Sequence, residues 1–185
     1  MVKREVGLSR SDWVEAALLA LEAGGMRAVA VEPLAKHLGA TKGSFYWHFK
    51  DRADLIAAVV ELWERRYVTD GTARLAEIED PRVRLERLFT VAVTPGTGRI
   101  DVALTEAAKT DPGVAEVVRR VQEARVDFLA SIYRELGLSR RHARQQAVLA
   151  LLAQVGMAVV AETAPALIPT GADLATLRSL LTPPG

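Results

Sequence analysis

The feature that most constrains this 185-residue chain is a run of short amphipathic helices over residues 31–54. Leu34 and Leu38 share one face of a short helix, and Gly39 then marks a turn. A second short helix is predicted after Thr41, whose hydroxyl is suited to accept a free N–H of the first turn. Two short helices joined by a glycine-containing turn predict a helix-turn-helix, whose second helix fits a DNA major groove.

The second helix of this motif has two chemically different faces. Phe45 and Phe49 lie one turn apart and predict an apolar inner face. The side chains expected on the outside are cations, hydrogen-bond donors and aromatic rings: Lys42, Ser44, Tyr46, Trp47 and His48. The chain carries a net charge of only +1, but Asp51 is the single acid between Lys36 and Arg52. Any affinity for DNA is therefore expected from this local patch.

The rest of the sequence predicts helices only. Ser9 and Asp12 form a capping-box pattern at the start of the first helix. Asp-Pro pairs at 80–81 and 111–112 mark two later starts, because aspartate caps a helix and proline fits its first turn. Long helices are predicted over 112–136 and 139–163, and a last one over 173–181. We predict an all-α chain of about nine helices, with a three-helix DNA-binding domain over residues 1–52 and a helical domain over residues 53–185.

Residues 34–55, LAKHLGATKGSFYWHFKDRADL, resemble the signature of the tetracycline-repressor (TetR) family of transcriptional regulators. The resemblance implies that Lys42 contacts bases, that Tyr46 and His48 contact phosphates, and that Lys50 and Arg52 clamp the DNA backbone. Glu32 stands where the tetracycline repressor has a base-reading arginine, so the operator is expected to differ. The candidate DNA-binding residues are Lys36, Thr41, Lys42, Gly43, Ser44, Tyr46, Trp47, His48, Lys50 and Arg52. For Lys42, Ser44 and Trp47 the alternatives are a solvated lysine, a helix filler and a structural aromatic.

For the second domain the resemblance implies a homodimer, formed through the last two long helices, and a pocket for a small-molecule effector. A dimer would place two copies of the motif about 34–36 Å apart on one face of the duplex. The effector is expected to be apolar or amphipathic, and repression relieved by the effector is the family default. A regulator without small-molecule control stays open, as does a core role for each candidate pocket residue. These candidates are Trp63, Tyr67, Phe89, Leu104, Phe128, Tyr133 and Gln154.

Other functional classes find little support in the sequence. Without cysteine there is no thiol catalysis, disulfide or zinc finger. The three histidines have no metal-ligand spacing, and no catalytic motif accompanies them, so we expect no enzyme, cofactor or metal site. A helical scaffold without a DNA role is the other alternative. The N-terminus lacks the apolar segment of a secretory signal. The most apolar run, residues 147–161, is shorter than the ~20 residues that span a bilayer. We therefore expect a buried helix there, no membrane association and a cytoplasmic protein.

Overall fold

A computed structural model describes residues 8–92 and 97–183, and within these ranges every regular element is helical. The α-helices are α1 Arg10–Gly24, α2 Val31–His37, α3 Lys42–His48, α4 Arg52–Glu64, α5 Asp70–Ala76, α6 Pro81–Ala92, α7 Thr97–Ala107, α8 Pro112–Glu135, α9 Arg140–Thr163 and α10 Gly171–Leu180. A π-helical turn over Arg65–Thr69 connects α4 to α5 without a break. If α4, this turn and α5 are counted as one helical stretch, the described residues hold nine long or short helices. The predicted all-α class is confirmed.

The chain divides into two compact units, Met1–Trp63 and Glu64–Gly185. The predicted boundary lay earlier, after Arg52. The first turn of α4 is tied to the N-terminal helices, since Arg10 pairs with Asp54 at 3.3 Å and Arg52 binds backbone carbonyls outside α4. Most of α4 therefore belongs to the first unit by its contacts. That the two units act as separate domains remains a proposal.

The first unit has an aromatic core beneath the helix-turn-helix. Trp13, Phe45 and Phe49 are almost fully buried. The Trp13 and Phe45 rings meet edge to face at 5.4 Å, and Phe45 stacks on Phe49 at 5.3 Å. Such pairs add about 0.5–1.5 kcal/mol beyond their burial. This cluster fixes which face of α3 is turned inward.

Local capping sets the helix boundaries of this unit, largely as predicted. Ser9 accepts from the Asp12 N–H, and Asp12 accepts from the Ser9 N–H at 2.7 Å, which completes the capping box. Thr41 caps α3 by accepting the Ser44 N–H at 3.2 Å. Ala30, at the N-cap of α2, provides no side-chain cap. Gly39 has φ +64°, a conformation that L side chains rarely adopt, and it makes the turn between α2 and α3.

The second unit is built on the long helices α8 and α9. Its core includes Leu129, Ile132 and Tyr133 of α8, Ala147 of α9 and Leu85 of α6. The predicted starts are confirmed: Asp80 accepts the Arg82 N–H at 2.7 Å, Asp111 accepts the Gly113 N–H at 2.9 Å, and Ser139 caps α9. The run Pro95-Gly96-Thr97-Gly98 predicts that α6 ends before it, and residues 93–96 lie outside the described residues.

Helix α9 is less buried than its sequence suggested. Within its most apolar eighteen-residue window only 11% is buried, and in the described residues it is the one helix long and apolar enough, by length and composition, to cross a membrane. Only Ala143, Ala147 and Ala150 are buried, all on one side. The prediction of a buried helix was wrong for the described part of the chain, because the described residues leave the opposite face of α9 largely uncovered.

Candidate nucleic-acid interface and ligand cavity

The outer face of α3 is exposed along its length. Trp47 is 87% exposed and Tyr46 is 61% exposed, whereas Phe45 between α3 and the core is 0% exposed. Lys42 and Gly43 are also exposed, and Ser44 is half-buried. Trp47 is therefore not a structural aromatic of the first unit. Tyr46 and Trp47 thus give this face of α3 two exposed aromatic rings.

Lys42 and Glu32 form a direct ion pair across the motif. The Lys42 ammonium donates a hydrogen bond to a Glu32 carboxylate oxygen, from the first turn of α3 to the first turn of α2. The hydrogen bond and charge of Lys42 lower the pKa of Glu32, and Glu32 raises the pKa of Lys42. Both groups are fully exposed, so solvent screens the attraction. The pair positions a cation and an anion side by side on the surface predicted to meet DNA.

Two other predicted DNA contacts already have partners inside the first unit. His48 Nε2 lies 2.8 Å from the Leu8 carbonyl oxygen and so donates to it, which leaves Nδ1 for another group. Arg52 donates from Nε to the Val29 carbonyl at 2.6 Å and from one Nη to the Met26 carbonyl at 2.6 Å. Arg52 is thus a link between α4 and the segment before α2, and only part of its guanidinium remains for a phosphate.

The remaining candidates of the motif lie at its surface. Lys36, Thr41 and Lys50 are exposed. The Lys50 backbone N–H donates to Asp54 at 3.1 Å, and Asp51 caps α4 by accepting the Asp54 N–H at 2.9 Å. The Lys50 side-chain ammonium takes no part in these two hydrogen bonds. The structure therefore places the candidates on one motif, and their contact with DNA remains a prediction.

Gly43 has no structural reason to be glycine within the described residues. A Cβ built there would lie 3.6 Å from the Thr41 hydroxyl oxygen, an ordinary contact, and its φ is not positive. Glycine in a helix destabilises it by about 0.5–1 kcal/mol relative to alanine. A close approach of DNA to the α3 backbone would give a reason for glycine at this position.

The second unit contains a cavity with a volume of about 600 Å³. This is within the range of pockets that hold drug-sized ligands. Its wall comes from the π turn, α5, α6, α7, α8 and α9. The lining residues are Arg66, Tyr67, Gly71, Thr72, Arg74, Leu75, Ile78, Arg87, Leu88, Asp101, Arg125, Phe128, Leu129 and Gln154.

Three of the seven predicted pocket residues line this cavity: Tyr67, Phe128 and Gln154. The other four do not line it. Leu104 and Tyr133 are fully buried, and Phe89 and Trp63 are nearly so. The Tyr133 hydroxyl donates to the Leu181 carbonyl at 2.7 Å, and burial raises its pKa. These four side chains are therefore part of the packed core and not of the cavity wall.

The lining exposes more apolar than polar surface, as expected, but it also carries charged side chains that the sequence analysis did not name. Four arginines line the cavity together with one acid, Asp101. Asp101 is 4% exposed, and both of its oxygens accept hydrogen bonds from Arg125, at 2.8 and 3.1 Å. In the sequence these arginines had the spacing of ordinary surface charges on amphipathic helices, so no local signal identified them.

Comparison with known proteins assigns the first unit. Residues 14–59 match the family model for bacterial regulatory proteins of the tetR family. The chain is 28% identical over 133 residues to the HTH-type transcriptional regulator TtgR of Pseudomonas putida, a match covering 68% of this chain and 62% of TtgR. It is 36% identical over 62 residues to AcrR of Shigella flexneri, covering 34% of this chain and 29% of AcrR. The chain thus spans about three fifths of TtgR. Both are named as regulators, in agreement with the expectation of a non-enzyme.

Solved structures share the fold over nearly the whole chain. A transcriptional regulator from Saccharomonospora viridis, in complex with choline, aligns with a TM-score of 0.79 at 18% identity, covering 93% of this chain and 92% of that one. FadR of Bacillus subtilis, in complex with stearoyl-CoA, aligns with a TM-score of 0.65 at 15% identity, covering 94% and 95%. At such identities the alignments show the fold alone. Together with the helix-turn-helix geometry, the match over residues 14–59 shows that this segment belongs to the tetR family of bacterial regulatory proteins.

Proposed function

We propose that this chain is a DNA-binding transcriptional regulator that places α3 in the major groove of double-stranded DNA. The observation that carries the proposal is the exposed outer face of α3, where Lys42, Tyr46 and Trp47 project from a helix anchored by Phe45. In this arrangement Lys42 contacts base edges, while Tyr46, the free nitrogen of His48 and Lys50 contact phosphates. Thr41, Gly43 and Ser44 bring the start of α3 close to the sugar-phosphate backbone of the DNA.

The regulator acts as a homodimer on a palindromic operator. Support for the partner surface comes from α9, which exposes large apolar residues: Val148, Leu149, Leu152 and Val159. Burying such a face against a second copy, with α8 beside it, removes apolar surface from water on both chains. This would also explain an apolar helix uncovered in the single chain, in a cytoplasmic protein that does not enter a membrane.

Control by a small molecule is the finer part of the proposal. The cavity of about 600 Å³ supports an effector site, and two structures of the same fold hold choline and stearoyl-CoA. Repression that an effector relieves is the arrangement we propose. The competing arrangement is a helical DNA-binding regulator without small-molecule control, in which the cavity stays solvent-filled.

Selection of bound sites from random duplex DNA tests the proposal, combined with measurement of the solution mass. The expected product is a two-fold symmetric site with half-sites about one helical turn apart. Its affinity should fall steeply as salt rises, because phosphate contacts release counterions. Enrichment of no sequence, or a subunit that is monomeric when bound to DNA, would count against it.

A further inference from the structure

The cavity of the second unit has more positive than negative charge on its wall. Four arginines against one aspartate leave the lining with a formal charge of +3. We propose that this cavity takes an amphipathic anion, a carboxylate or phosphate carried on an apolar body. The inference rests on the proposed function in one respect, that the cavity is the effector site of the regulator.

The single acid of the lining is already neutralised. Asp101 and Arg125 form a two-pronged ion pair, with side-chain exposures of 4% and 15%. Charge-assisted pairs of this geometry are strong and directional. Asp101 is therefore unavailable to a cationic ligand, and Arg125 contributes little charge of its own to the cavity.

Two other arginines give the cavity its anion-binding character. Arg74 of α5 and Arg87 of α6 line the cavity, and neither guanidinium has an ion-pair or hydrogen-bond partner among the residues that the structure describes. Both side chains are exposed, so they border the open side rather than the floor. A guanidinium offers planar paired donors that match carboxylate and phosphate oxygens.

The remainder of the wall suits an apolar body. Leu75, Ile78, Leu88, Phe128 and Leu129 contribute aliphatic and aromatic surface. Leu75 follows Arg74 along the chain, and Leu88 follows Arg87, so α5 and α6 each supply a cation and an apolar side chain. A volume of about 600 Å³ holds a medium-length hydrocarbon chain with a compact head group.

Binding of a matched ligand series to the purified full-length protein tests the head-group charge directly. Isothermal titration would compare decanoate, decyl phosphate, decanol and decyltrimethylammonium, which share one hydrocarbon chain. We expect one or both anions to bind at least about tenfold more tightly than decanol, since a hydrogen bond to a charged group adds that much. Decyltrimethylammonium should not bind. Which anion binds distinguishes a carboxylate from a phosphate ligand.

Substitutions locate the site. Arg74→Gln and Arg87→Gln should each weaken anion binding several-fold and leave decanol binding unchanged. Arg134→Gln, an exposed arginine of α8 outside the lining, is the matched control and should change neither. Anion affinity should also fall with added salt. Equal binding of decanol and the anions, tighter binding of the cation, or no binding by any of the four would overturn the inference.

The DNA assay separates this inference from the proposed function. Ligand-free Arg74→Gln and Arg87→Gln proteins should bind the operator like the parent protein, because neither residue belongs to the first unit. Anion binding without any operator binding would refute the proposed function and leave the ligand class standing. Operator binding without a preference for anions would refute the ligand class and leave the proposed function standing.

Discussion

The Lys42 ammonium of α3 donates a hydrogen bond to the Glu32 carboxylate of α2, so a residue predicted to contact bases is paired with an acid before DNA arrives. Glu32 was noted in the sequence as a departure from the tetracycline repressor, which has an arginine there. The structure shows that the departure also changes the surroundings of Lys42. An exposed pair of this kind is weak and exchanges readily with phosphate or base contacts.

The titration of Glu32 should report this pair. Lys42 lowers the Glu32 pKa from its ordinary 4.5, so the side-chain carboxyl should titrate below that value by NMR. Since the folded pKa is depressed, the pair contributes above pH 4.5 and is lost as pH falls through the lowered value. Lys42→Met should return the midpoint toward 4.5. A midpoint unaffected by Lys42→Met would show that the two groups do not interact in solution.

Replacing Lys42 should relax base preference. Lys42→Ala is expected to cost about 1–3 kcal/mol of discrimination at one operator position and little at the others. The measurement is competition between single-base variants of the selected site. Lys109→Ala is the control, because this exposed lysine lies in the second unit and pairs with Glu106. A uniform loss across all sites would reassign Lys42 to phosphate contact.

Gly43 separates stability from DNA binding. Gly43→Ala should stabilise the folded protein by about 0.5–1 kcal/mol, since alanine is the better helix former and its Cβ meets only an ordinary contact. If the α3 backbone approaches the groove at this position, the same variant should bind the operator more weakly. Thermal melts and operator titrations measure the two effects. Unchanged affinity in a stabilised variant would remove Gly43 from the interface.

Arg52 is expected to affect folding as well as DNA binding. Arg52→Ala removes two hydrogen bonds to the Val29 and Met26 carbonyls and should lower the free energy of unfolding by about 1 kcal/mol. Urea denaturation measures this loss. Operator affinity should fall alike for all sequences, because the DNA contact that is lost is to a phosphate and not to a base. Full stability in Arg52→Ala would mean that the link is not formed in solution.

The buried ion pair between Asp101 and Arg125 should contribute more to the free energy of unfolding than an exposed ion pair does. Asp101→Asn removes one charge of a largely buried ion pair and is expected to destabilise the protein by about 3–5 kcal/mol. The matched control is Asp127→Asn. Its pair with Arg144 has side-chain exposures of 71% and 62%, so its loss should cost less than about 1 kcal/mol. Equal losses, compared by denaturant unfolding, would contradict the role given to burial.

The sequence was informative where structure is local. The caps at Ser9, Thr41 and Asp111 follow from hydrogen bonds within a single turn, and the inward placement of Phe45 and Phe49 follows from helix periodicity. These features need no knowledge of distant residues. The family resemblance over residues 34–55 rests on the same local signals.

The cavity could not be predicted in this way, because its wall depends on how six helical segments pack. Trp63 and Tyr133 have the size and chemistry of pocket residues, yet both are buried in cores. Arg74 and Arg87 resemble solvated surface charges until α5 and α6 are seen to border one cavity. The exposure of α9 is equally hidden, since hydropathy does not distinguish a helix buried in its own chain from one that a second copy covers.

The π turn at Arg65–Thr69 has a consequence for insertions and deletions in this protein. A π turn accommodates an additional residue without breaking the helix, and its side chains Arg66 and Tyr67 line the cavity. Deleting one residue there would convert it to ordinary α geometry. Because the π turn absorbs one residue, the faces of α5 would keep roughly their present directions, and Arg74 and Leu75 would still face the cavity. A deletion within the ordinary turns of α5 would instead rotate the residues that follow it by roughly 100° about the helix axis. Residues 65–69 are therefore where this helical stretch tolerates a change of length by one residue.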